Sequence, residues 1–161
     1  LPNAGKSSLL AAITNANPKI ANYQFTTLNP NLGVANYDNK EITIADIPGL
    51  VEGAHKGTGL GIQFLKHIER CKSLLHMIDI TDKDLRKSYK QIKNELKNYS
   101  SKISKKRELV VLNKTDLIDD NEIKKIIKDF SKYIKSEVIT LTTFEKKSVS
   151  KIKAKLISYV S

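Results

Sequence analysis

Short apolar runs alternate with amphipathic helical stretches along this whole chain, and that alternation confines it to the α/β class with a mostly parallel sheet. KSSLLAAITNA reads as a helix. VANYD and EITIADI read as strands joined at Asp38-Asn39, a tight hairpin turn. FLKHIERC is predicted helical and SLLHMIDI a buried strand. DLRKSYKQIKNELKNY sets Leu85, Tyr89, Ile92, Leu96 and Tyr99 at helical spacing. ELVVLN is a second buried strand, NEIKKIIKDFSKYI a helix, SEVITLT a strand and VSKIKAKLISYV a closing helix. In such sheets ligands sit beyond the carboxyl ends of the strands. The polar motifs of this chain fall at such ends.

The 161 residues fit one domain, and with 40% of them hydrophobic they can bury a proper core. No apolar run is long enough to span a bilayer, and no secretory signal opens the chain. The only methionine is Met77, so the sequence is expected to be a piece of something longer. Cys71 is the only cysteine, which excludes an internal disulfide and points to a reducing cytoplasm. A net charge of +11 suits a polyanionic partner. Lysines carry nearly all of it and are spread over helical segments such as EIKKIIKDFSKYIK, which reads as solvated faces rather than one dedicated patch.

LPNAGKSS, at the head of the first helix, is most of a phosphate-binding loop. Leu1, Pro2, Asn3 and Ala4 fill the variable positions before Gly5, Lys6 and Ser7; the glycine that starts the motif would sit one residue before Leu1. Such a loop wraps backbone N–H groups around phosphate oxygens at a helix N-terminus. Gly5 permits close approach, Lys6 reaches the β- and γ-phosphates, and the Ser7 hydroxyl binds Mg²⁺. A plain helix start is the simpler alternative for this segment taken by itself.

Asp46-Ile47-Pro48-Gly49 closes the strand EITIA. There Asp46 can hold a Mg²⁺-bound water, and the Gly49 N–H can meet a γ-phosphate. Upstream, FTTLNPNLG places Phe25, Thr26 and Thr27 beside the nucleotide, with Thr27 as a second hydroxyl ligand for Mg²⁺ and Thr26 as its rival. Asn113-Lys114-Thr115-Asp116 follows ELVVL. A carboxylate at Asp116 can accept both N1–H and N2–H₂ of guanine, whereas adenine would leave it unpaired. The Lys114 stem can lie along the base, and Asn113 can tie this loop to the phosphate loop. Each segment alone also reads as a polar turn; their order along one chain is what makes them specific.

With PKIANYQFTTLNPNLG and DIPGLVEGAHKGTGLGIQFLKHIERC, the sequence resembles the translation-factor class of P-loop GTPases, and within it the G domain of the Obg family, tightly from Leu1 to Asp79 and more loosely after Asp116. The resemblance implies a three-layer G domain over residues 1–161, with one antiparallel strand in the sheet. It implies GTP binding and slow hydrolysis to GDP with Mg²⁺, and a monomer in the cytoplasm. It also implies a partner in the large ribosomal subunit, whose assembly such proteins serve. Lys6, Thr27 and Gly49 would act on the reacting phosphate. The tRNA-modifying GTPases share PNAGKSS, but the switch segments here look Obg-like.

Some positions depart from that pattern. Many GTPases place a glutamine after DxxG to orient the attacking water; here Leu50 and Val51 follow, so another group must help. In similar loops of the PNxGKS type the asparagine helps to hold K⁺, which makes Asn3 a K⁺ ligand and hydrolysis K⁺-stimulated. His55 reads as a structural or exposed residue of the second switch, and His67 and His76 as helix and strand positions. The last motif, usually Ser-Ala, is Thr142-Thr143, whose backbone N–H groups would meet guanine O6. A glycine expected before the closing helix is Ser148. The family also has a strand before the phosphate loop, in the centre of a sheet ordered 2-3-1-4-5-6. Without it, EITIADI and SLLHMIDI would stand about 9.6 Å apart, too far to hydrogen-bond. A chain so cut could be an inert fragment that carries the site without assembling it.

Overall fold

The computed structural model describes residues 4–14, 19–20, 31–46 and 69–160, with only the backbone at Lys19, Ile20, Asn31 and Tyr99. In chain order the elements are α1 (Lys6–Ile13), β1 (Lys19–Ile20), β2 (Asn31–Tyr37), β3 (Lys40–Ala45), β4 (Ser73–Asp79), α2 (Leu85–Tyr99), α3 (Ser101–Ser104), β5 (Arg107–Asn113), α4 (Asp120–Tyr133), β6 (Glu137–Thr140) and α5 (Lys146–Val160). A 3₁₀ turn, Thr115–Leu117, follows β5. No helix among the described residues is long and apolar enough to cross a membrane.

The period of β5 builds the layers. Successive side chains point to opposite faces of a strand. Leu109 and Val111 therefore join Leu9 and Ile13 of α1 and Ile152 and Leu156 of α5 in one core. Val110 and Leu112 join Phe130 and Ile134 in a second core, against which Leu85, Tyr89, Ile123 and Ile127 pack. Met77 and Ile78 of β4 divide in the same way. The result is helices on both faces of a sheet, the expected three-layer α/β arrangement.

The helix boundaries have local causes. The Asp84 carboxylate accepts from Lys87 N at 2.9 Å, and the Asp119 carboxylate accepts from Asn121 N and Glu122 N, so acidic caps start α2 and α4. Lys124, Lys125, Lys128 and Lys132 of α4 are exposed, the solvated face that their spacing predicts. Helix α5 begins at Lys146, three residues ahead of the expected VSKIKAKLISYV, and FLKHIERC lies outside the described residues but for its end.

β4, β5 and β6 form a parallel sheet in that order. β1, β2 and β3 form a separate antiparallel one. Tyr37 pairs with Lys40 across Asp38 and Asn39, both at positive φ (50° and 57°), the two-residue turn expected there. β2 starts at Asn31, so the end of FTTLNPNLG is strand rather than loop. Gly33 makes this possible, because a Cβ there would run into Thr14 and Leu10 of the α1 segment. Among the described residues β3 and β4 do not pair. A cavity of about 540 Å³ lies between them, lined by consecutive residues of both strands and by Leu9, Leu10, Ile92 and Leu96. This is the gap the sequence predicts at the centre of the sheet.

Candidate nucleotide site

Gly5 turns the chain into α1 at φ 85°, a left-handed backbone that suits glycine. Its carbonyl accepts the first helical bond, from Leu9 N at 2.9 Å. No side chain caps this helix and no acidic residue occupies its first turn. Its leading N–H groups are thus presented at the positive end of the helix dipole, as an anion site requires. A Cβ on Gly5 would collide with the Asn113 amide. Gly5→Ala is expected to destabilise the protein by roughly 1–3 kcal/mol and to weaken nucleotide binding. Thermal unfolding and nucleotide titration of the variant check both.

Ser7 and Asp46 meet beside this loop. Ser7 Oγ donates to Asp46 Oδ2 at 3.1 Å, joining α1 to the end of β3. Asp46 Oδ1 is buried with no hydrogen-bond partner among the described residues. A hydroxyl and a carboxylate with an unmatched oxygen are hard donors suited to Mg²⁺, which is commonly held by one or two carboxylates together with substrate phosphates. No cluster of three or more His, Cys, Asp or Glu among the described residues suggests a different metal.

The candidate base-binding end is built where β5 and β6 stop. Asn113, 2% exposed, sends its Nδ2 to the Ala4 carbonyl at 3.0 Å, so the end of β5 holds the candidate phosphate loop directly. Lys114 adopts a left-handed backbone (φ 65°) that breaks the strand. Thr115 then bonds the Leu141 carbonyl through both its N–H (3.3 Å) and its Oγ1 (3.2 Å). Asp116 is exposed, and its Oδ1 accepts from the buried Thr142 hydroxyl at 2.8 Å. The Thr142 N–H donates to Ser148 Oγ at 3.1 Å. Of the two backbone donors expected at guanine O6, the Thr142 one is therefore turned to Ser148. Thr143 is half-buried on the same loop.

Ala4, Gly5, Lys6, Ser7, Asp46, Asn113, Lys114, Thr115, Asp116, Thr142 and Thr143 are all described. Pro2, Asn3, Phe25, Thr26, Thr27, Ile47, Pro48 and Gly49 lie outside the described residues, as do His55 and His67.

Two groups escape the motif reading. Asp79, the last residue of β4, stands in register with Asn113 and pairs with the Lys114 ammonium. Burial alone would raise its carboxyl, but the bonds from Lys114 and Thr81 outweigh that and hold it below its ordinary value. His76 is buried and its Nδ1 lies 3.0 Å from Glu108 Oε1. A carboxylate at the start of an apolar run, within the strand RELVVLN, was the sequence signal for that cluster.

Residues 1–114 match the family described as "50S ribosome-binding GTPase". The chain is 72% identical over all 161 residues to GTPase Obg of Pelagibacter ubique, 49% of whose length it covers. It is 51% identical over 161 residues to GTPase Obg of Ehrlichia ruminantium, covering 47% of that protein. The chain thus spans about half the length of these relatives. Among solved structures, the G domain of the T. maritima FeoB iron transporter superposes with a TM-score of 0.72 at 19% identity, over 99% of this chain and 94% of that one. Nucleolar GTP-binding protein 1 of Plasmodium falciparum gives 0.64 at 22%, over 99% and 81%. At such identities these two structures speak for the fold alone.

Proposed function

Because this chain belongs to the family of 50S ribosome-binding GTPases, we propose that residues 1–161 are an Obg-type G domain that binds GTP and GDP and hydrolyses GTP to GDP. The observation that carries this reading is the bond from Asn113 to Ala4. It fastens a loop able to read guanine to a loop able to hold phosphates across a sequence separation of 109. One bound molecule with a base at one end and phosphates at the other fits that link.

The chain's own residues divide the work. Helix α1 and the Lys6 ammonium hold phosphate oxygens, and Asp116 selects the base. Thr27 and the Gly49 N–H would act on the terminal phosphate. Ser7, Thr27 and Asp46 would hold Mg²⁺, which when bound offsets charge on the phosphate oxygens. Leu50 and Val51 offer no group to orient water, so intrinsic hydrolysis is expected to be slow; Asn3 would hold a K⁺, which when bound would offset charge near the phosphates. The switch is thrown on the large ribosomal subunit, in its assembly in the cytoplasm, with the lysine-rich helical faces suited to rRNA.

A fluorescent GDP analogue titrated into this chain tests the reading. Saturable binding competed by GDP and not by ADP is expected, with hydrolysis of GTP faster in K⁺ than in Na⁺ by on the order of tenfold or more. Equal rates in the two salts would remove Asn3 from the mechanism. The open gap between β3 and β4 favours a second reading, an inert piece of such a GTPase. Absent binding that returns when a strand is supplied to that gap would select it.

A further inference from the structure

Asp79 and Lys114 belong to neighbouring strand ends, and nothing in the nucleotide reading requires them to touch. They do so because β4 and β5 are in register at Asp79 and Asn113, and Ile80 N donates to the Asn113 carbonyl at 2.9 Å. The carboxylate is itself fixed. Its Oδ1 accepts from Thr81 N at 3.0 Å and from Thr81 Oγ1 at 2.7 Å, which leaves Oδ2 for the Lys114 ammonium. The partner is a lysine whose backbone is already constrained at φ 65°. Both ends of the Lys114 side chain are therefore held, the near end by the strand break and the far end by Asp79.

The geometry points to Asp79 as a positioning residue for the guanine nucleotide: it tethers the Lys114 ammonium so that the stem is ordered before the base arrives. This rests on the reading that Lys114 lies along the base. A free lysine has many rotamers, and ordering it on binding opposes affinity. Tethering removes that penalty from the binding step, by preorganisation rather than by contact with the ligand. The pair is only partly shielded, with side chains 24% and 33% exposed, so the effect is moderate and weakens with salt.

A double-mutant cycle on GDP affinity tests this, with the fluorescent GDP analogue as probe and thermal unfolding to check that each variant is folded. Asp79→Asn keeps the shape and an acceptor for Thr81 but removes the charge that holds Lys114. It is expected to weaken GDP binding about three- to tenfold, and less at high salt. In a Lys114→Met background, which keeps the stem and lacks the ammonium, Asp79→Asn is expected to change affinity by less than about twofold. An Asp79→Asn effect of the same size with and without Lys114, or no effect at all, overturns the assignment. Failure of the parent chain to bind GDP overturns the nucleotide reading itself, and this inference with it.

Discussion

Asp116→Asn is expected to lower affinity for GDP by on the order of a thousandfold or more and to create affinity for xanthosine diphosphate. Guanine presents two donors on one edge, N1–H and N2–H₂. The Asp116 carboxylate has acceptors on both oxygens; its Oδ1 already takes the Thr142 hydroxyl at 2.8 Å but keeps a second lone pair. An asparagine replaces one acceptor with an NH₂ group that meets the guanine N2–H₂ donor to donor. An unmatched polar contact inside a binding site is discriminated far more strongly than a missing methylene. Xanthine has a carbonyl at C2 in place of the amine, so the asparagine amide can donate to it while its oxygen accepts N1–H. The Thr142 bond survives the change, since the asparagine carbonyl also accepts, and the fold should be unaffected. Competition titrations with GDP and xanthosine diphosphate on folded variant decide the matter. A variant that keeps parental GDP affinity would remove Asp116 from base recognition.

The placement of the candidate base-reading motif was legible because the motif is local and its neighbours follow from strand order. ELVVLN predicts a buried strand, and a buried strand must deliver Asn113 to the ligand edge of the sheet. The split of the sheet was legible too, from the strand that the resemblance placed between EITIADI and SLLHMIDI. What the sequence concealed are partnerships across elements. Thr142 and Ser148 looked like departures from a pattern. In the fold the Thr142 hydroxyl holds Asp116 and the Ser148 hydroxyl receives the Thr142 N–H. Asp79 lay unremarked within SLLHMIDI, and only register sets it beside Lys114. His76 read as a strand position, which is correct, but its partner Glu108 lies one strand away. Periodicity assigns residues to faces and says little about which polar groups on a face will meet.

Glu108→Ala is expected to have the largest effect on stability of any single change away from the nucleotide site. The residue is 5% exposed, and its carboxylate collects four donors. Oε1 takes His76 Nδ1 at 3.0 Å; Oε2 takes Lys93 Nζ at 3.1 Å, Tyr89 OH at 3.1 Å and Ser136 Oγ at 3.2 Å. It thereby fastens β4, α2 and the approach to β6 onto β5. An ionised carboxylate can only accept, so the His76 proton facing it is on Nδ1. Removing it strands a buried imidazole and a half-buried phenol while Lys93 turns to water, at a cost of about 3–5 kcal/mol. For a domain of this size that lowers the midpoint by roughly 6–20 °C. The same group sets an acid limit. Burial by itself would raise the Glu108 carboxyl, but the His76 and Lys93 interactions outweigh it and hold the carboxyl down to about 2, against an ordinary 4.5. A folded value below the unfolded one means that its stabilisation is complete above the ordinary value and is lost as pH falls from 4.5 toward about 2. Denaturant unfolding of the parent chain should therefore show stability falling through that window. Glu108→Gln, which keeps the shape and one acceptor but cannot ionise, should start less stable and lose less over the same range. Parallel curves for the two proteins between pH 4.5 and 2 would place the acid sensitivity in other carboxylates.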